Sequence, residues 1–70
     1  MSALAKLAWQ DTCVEGLLQW VETQTPSGEW LRIKKKRVGG YLVTRFGADL
    51  MLKAPEVEMS AEEAEQALEA

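Results

Sequence analysis

Seventy residues allow one domain at most, and a chain this short buries only about 60% of the surface its unfolded form exposes, so its core is thin. A single cysteine, Cys13, and no histidine exclude an intrachain disulfide, a Cys/His zinc site, a papain-like Cys–His pair and a Ser-His-Asp triad. The net charge of −3 is unevenly spread: residues 1–29 carry Lys6 against four carboxylates (net −3), residues 30–53 seven bases against Asp49 (net +6), and residues 54–70 six glutamates and no base (net −6).

Residues 1–22 read as a helix, with Ser2 as its cap and Ala, Leu and Lys dominating its first turns. On a helical wheel, Leu7, Val14, Leu17, Leu18 and Val21 centre an apolar side, while Asp11, Thr12, Glu15, Gln19 and Glu22 make a polar one. Trp9, Cys13, Gly16 and Trp20 widen the apolar side to about half the circumference, more than the stripe of somewhat over 100° that a surface helix needs. That surplus predicts a partner-binding face of Trp9, Cys13, Leu17 and Trp20, through which the chain self-associates as a homodimer. Ordinary core filling is the other reading of the two tryptophans. Cys13, placed mid-helix on an apolar face, reads as a small buried hydrophobe.

Residues 24–28, Gln-Thr-Pro-Ser-Gly, read as a loop that stops the helix. Residues 29–38 and 41–46 are strand-like and flank Gly39-Gly40, a two-residue hairpin signal. That turn pairs Arg37 with Leu42, Lys34 with Arg45 and Ile33 with Phe46. Alternation then places Leu31, Ile33, Lys35 and Arg37 with Leu42, Thr44 and Phe46 on the face toward the helix. Trp30, Arg32, Lys34, Lys36 and Val38 share the other face with Tyr41, Val43 and Arg45. Gly47-Ala48 reads as a second tight turn into a third strand over residues 50–53, or as a bulge in a longer second strand. Pro55 is expected to end the strand region.

Ser60-Ala61-Glu62-Glu63 is a capping-box pattern and starts a helix over residues 60–70, anchored only by Ala64, Ala67 and Leu68. It is too short to be stable alone. The fold expected is a single α+β domain: a long N-terminal helix packed on a small antiparallel β-hairpin or three-stranded meander, with a short acidic C-terminal helix. Its segments are residues 1–22, 29–53 and 60–70.

No phosphate-binding glycine pattern, Ca²⁺ loop or paired-carboxylate pocket is apparent, so neither enzymatic activity nor a cofactor or metal is expected. The basic hairpin face of Trp30, Arg32, Lys34, Lys36, Tyr41 and Arg45 suits phosphates and stacked bases, an acidic protein, or the chain's own glutamate-rich tail. Solvation of an exposed ribbon is the plainer reading. The acidic balance counts against tight nonspecific binding to nucleic acid. The leading expectation is a regulatory or accessory protein–protein binding module. A small nucleic-acid-binding regulator and an assembly subunit of a larger complex are the alternatives. With no signal-peptide pattern and no apolar run of about 18 residues, a cytoplasmic protein without a membrane span is expected.

Overall fold

The computed structural model describes residues 3–69. Five strands form one antiparallel sheet in chain order: β1 (Gln10–Asp11), β2 (Leu17–Gln24), β3 (Trp30–Lys36), β4 (Tyr41–Phe46) and β5 (Leu52–Met59). One α-helix, α1 (Ala61–Glu69), follows, and a single 3-10 turn at Leu4–Lys6 precedes the sheet.

The expected long N-terminal helix is therefore replaced by a turn and two strands. Its Ser2 cap lies outside the described residues. Gly16 sits at φ +86, a left-handed conformation that a helix interior does not admit. Val14 N–H donates to Thr12 Oγ1 at 3.2 Å, a local bond that competes with helical pairing. Beyond Gly16, Trp20, Val21 and Thr23 are aromatic or β-branched and suit a pleated surface. The broad apolar arc has a simple cause: β2 presents apolar residues to both sheet faces, and a wheel drawn at 100° smears the two into one.

The β3–β4 hairpin forms, with a different register. Lys34 pairs with Leu42 and Ile33 with Val43, because residues 37–40 all belong to the loop. Lys36 N–H donates to Gly40 O at 3.0 Å and Gly39 N–H to Lys36 O at 3.2 Å. Both glycines do take positive φ, at +103 and +85. The pairing differs from the two-residue turn by three positions, and an odd shift exchanges the faces of a strand. Tyr41, Val43 and Arg45 thus lie with Leu31, Ile33 and Lys35, while Leu42, Thr44 and Phe46 lie with Arg32 and Lys34.

The third strand of the meander is longer than expected. Gly47 N–H bonds Met51 O at 2.9 Å to close the turn, and β5 then runs through Pro55 rather than stopping there. Pro55 is tolerated because β5 is an edge strand, where a missing donor breaks no ladder. Register shifts occur between Val43 and Arg45 and between Arg45 and Phe46.

The helix at the C-terminal end follows the sequence closely. Glu63 N–H donates to Ser60 Oγ at 3.2 Å and Ser60 N–H to the Glu63 carboxylate at 3.0 Å, the reciprocal capping box. Ala64, Ala67 and Leu68 are buried. They pack with Leu4 on Val21, Leu31, Ile33 and Val43, which form one core. Its centre is β3, where Leu31 and Ile33 are 1% and 0% exposed. The two ends of the chain are joined by Glu65, whose carboxylate accepts from Ala3 N–H at 3.0 Å and Leu4 N–H at 2.8 Å. Trp9 completes this side. Its indole N–H donates to Leu4 O at 2.7 Å, and its ring lies 6.1 Å from that of Tyr41.

Candidate functional site

The covering layer leaves the opposite sheet face bare. Strand alternation brings to that face Trp20 and Glu22 of β2, Trp30, Arg32, Lys34 and Lys36 of β3, Leu42, Thr44 and Phe46 of β4, and Glu56 and Glu58 of β5. On β3 the cause is plain in the sequence. The apolar Leu31 and Ile33 are drawn into the core, so the interleaved Arg32, Lys34 and Lys36 must point the other way.

Each of those three cations has a carboxylate of the same chain. Arg32 pairs with Glu22 at 3.0 Å, Lys34 with Glu56 at 3.0 Å and Lys36 with Glu58 at 2.6 Å. Exposed pairs of this kind contribute only about 0–1 kcal/mol each. Their larger effect is that the basic row presents little net charge to a ligand. Arg32 also lies over the Phe46 ring, 5.2 Å from its centroid. On either side of Arg32 is a shallow hollow. One, of about 320 Å³, is lined by Glu22, Trp30, Arg32, Phe46 and Leu50. The other, of about 250 Å³, is lined by Thr12, Val14, Leu17, Trp20, Arg32 and Lys34.

The predicted site residues divide between the faces. Trp30, Arg32, Lys34 and Lys36 are brought together as expected, but Tyr41 and Arg45 lie on the covered face. Of the predicted helix face, Leu17 and Trp20 line the second hollow. Trp9 packs against the core on the far side, and Cys13 is exposed rather than buried. Sequence reasoning missed Glu22, Leu42, Phe46 and Leu50, and offered the glutamate-rich tail as a partner of the basic face without singling out Glu56 and Glu58. A signal existed for the last two: Glu56-x-Glu58 has the same period of two as Lys34-x-Lys36. The glutamate-rich segment is thus in part a strand that pairs with the basic row.

At the rim of the covered face, Glu29 bonds Lys53 and lies 4.0 Å from Arg45. The Lys53 hydrogen bond, helped by the charges of Lys53 and Arg45, holds its carboxyl below the ordinary value near 4.5. A lowered folded-state pKa gives stability that is present above pH 4.5 and lost as pH falls through the folded value. Glu29→Gln is accordingly expected to flatten the acid limb of the melting temperature measured from pH 6 down to pH 3, most visibly below about pH 4.5. An acid limb identical to that of the parent chain would contradict this.

Among the described residues no cluster of three or more His, Cys, Asp or Glu is placed to hold a metal, and no helix is long and apolar enough to cross a membrane. No family model matches the chain, and neither a curated protein nor a solved structure matches it.

Proposed function

We propose that this chain is a small non-enzymatic module, regulatory or accessory in role, that docks a different polypeptide on the bare face of its sheet. One observation carries the reading. The sheet is covered on one side only, and its bare side sets Trp20, Trp30, Leu42 and Phe46, all half-buried, among three ion pairs that neutralise one another. Trp and Arg dominate binding hot spots, and interface cores are poor in net charge.

The sheet edges support docking on the face rather than strand addition. β1 is two residues long. β5 carries Pro55, register shifts, and the charged Lys53, Glu56 and Glu58, all of which discourage edge pairing. Stacking against a second copy gains nothing from the charge layout. β3 is the central strand, so a two-fold packing centred on it would set neutralised pairs of Arg32, Lys34 and Lys36 against the same neutralised pairs. Nucleic acid is the weaker reading, because a base-stacking platform needs cations free for phosphate and these three are engaged. A cytoplasmic setting belongs to the same proposal, since a lone exposed thiol at Cys13 suits a reducing compartment.

Affinity capture from the native host tests the reading with three baits: the parent chain, Trp30→Ala combined with Phe46→Ala, and Glu62→Ala on the exposed side of α1. The parent and the helix variant are expected to retain the same partner protein. The double variant should lose it by about tenfold or more while keeping its circular dichroism spectrum. Equal capture by all three baits, or binding only to nucleic acid with steep salt dependence, would reject the reading.

A further inference from the structure

Three features converge on the hollow beside Trp30. Its walls are Trp30, Phe46 and Leu50, and its volume of about 320 Å³ is at the low end of the range of about 300–1,000 Å³ for small-molecule sites. That is room for one large side chain. At its rim, Arg32 Nε and Nη2 both donate to the same oxygen of Glu22, Oε2, at 3.2 and 3.0 Å. Glu22 Oε1 and Arg32 Nη1 have no partner among the described residues. The pair therefore keeps a carboxylate oxygen able to accept and guanidinium N–H groups able to donate, with no net charge. One residue of an extended chain turns its own N–H and C=O to the same side and so presents both complements, whereas a carboxylate or phosphate would meet Glu22 as well as Arg32.

Leu50 is the third feature. Its φ of +65 is left-handed, a conformation that suits Gly or Asn and strains a leucine. The turn is closed by Leu50 N–H to Gly47 O at 2.8 Å, a backbone bond that needs no leucine side chain. That side chain is no part of the core: Leu50 is 65% exposed. Strain that persists without a packing reason points to use, and here the strained residue forms a wall of the hollow.

Resting on the docking reading above, we infer that this hollow is an anchor pocket for one bulky apolar side chain of an extended polypeptide, with the Arg32–Glu22 pair reading the backbone N–H and C=O of a neighbouring residue. The second hollow shares Arg32 as a wall, so a segment crossing the strands seats a further side chain there.

The test uses the full chain labelled with ¹⁵N and three probes: N-acetyl-tryptophanamide, N-acetyl-glutamate and a short oligothymidylate. The neutral amide should saturably shift the Trp30 indole N–H, the Arg32 Nε–H and the Leu50 amide at millimolar concentration, and leave the Trp9 indole unmoved. N-acetyl-glutamate should bind about tenfold more weakly. Leu50→Gly should melt no lower than the parent, because its backbone strain is gone, yet bind N-acetyl-tryptophanamide about fivefold more weakly. No localised shift at the solubility limit of the amide overturns the assignment. So does unchanged affinity in Leu50→Gly, equal binding of the glutamate probe, or tighter binding of the oligothymidylate at the same residues. Loss of partner capture by the Trp30 and Phe46 double variant together with a silent amide titration would keep the docking face and reject this pocket. A positive titration with unaffected capture would keep the pocket and reject its role in docking.

Discussion

Ile33→Ala is expected to leave the chain largely unfolded near physiological temperature. Ile33 is fully buried at the centre of the middle strand, between Val21 on one neighbour and Val43 on the other. Truncating a buried isoleucine to alanine costs about 2–5 kcal/mol, from lost transfer energy and the cavity left behind. A domain of this size has in total roughly 4–10 kcal/mol of stability. Collapse around the vacancy is limited, because β2, β4 and α1 already pack from three sides. At roughly 4–8 °C per kcal/mol for small domains, the melting temperature should fall by about 10–30 °C. A thermal melt followed by circular dichroism measures this. A fall under about 5 °C would mean that β3 is not the centre of the core.

Glu65→Ala is expected to be the most damaging substitution of a charged residue. The Glu65 side chain reaches two backbone N–H groups, of Ala3 and Leu4, some sixty residues away in sequence. A hydrogen bond to a charged group contributes about 1.5–3 kcal/mol, and removing the acceptor leaves donors beside the buried Leu4 without their partner. The expected loss is about 2–3 kcal/mol in urea unfolding. Trp9 should report it, because its indole N–H is held by Leu4 O. Its emission should shift to the red as the segment before β1 loosens. Glu65→Gln retains an acceptor oxygen and should lose about half as much. Unchanged unfolding of Glu65→Ala would show that the segment is held by apolar contact alone.

How much of this was readable in the residues varied with the kind of signal. The C-terminal helix was readable almost completely, because Ser60 and Glu63 satisfy each other locally and Ala64, Ala67 and Leu68 share one side. The two faces of β3 were also readable, since Leu31 and Ile33 alternate with Arg32 and Lys34. The faces of β4 were not. They depend on how many residues the loop takes, and Gly39-Gly40 advertises a tighter turn than the four-residue one that forms. With the faces of β4 went Phe46 and Leu42, half of the apolar content of the bare side.

The N-terminal third was misread for a different reason. Ala, Leu and Lys in residues 3–7 favour helix, and a 3-10 turn does form there. The propensity ends at Trp9, whereas an apolar pattern continues. Trp20 and Val21 are neighbours serving opposite sides of a sheet, and only the partner strand decides between that and a helix with a broad stripe. The glutamates at 56 and 58 were legible in part. Their period of two matches that of Lys34 and Lys36, but the partners are two strands away, across β4, and no local rule fixes that pairing.

The lid over the inner side of the sheet is assembled from segments on either side of it in sequence, Leu4 from the turn before β1 and residues 61–69 from the helix after β5. During synthesis all five strands are therefore made before the helical part of their cover. At about 5–20 residues per second, the nascent meander stands for on the order of a second with Leu31, Ile33 and Val43 wetted. Over that interval the ribosome exposes greasy strands on both sides at once. A folding factor that binds extended apolar segments has its best opportunity then, before residues 61–69 close the door.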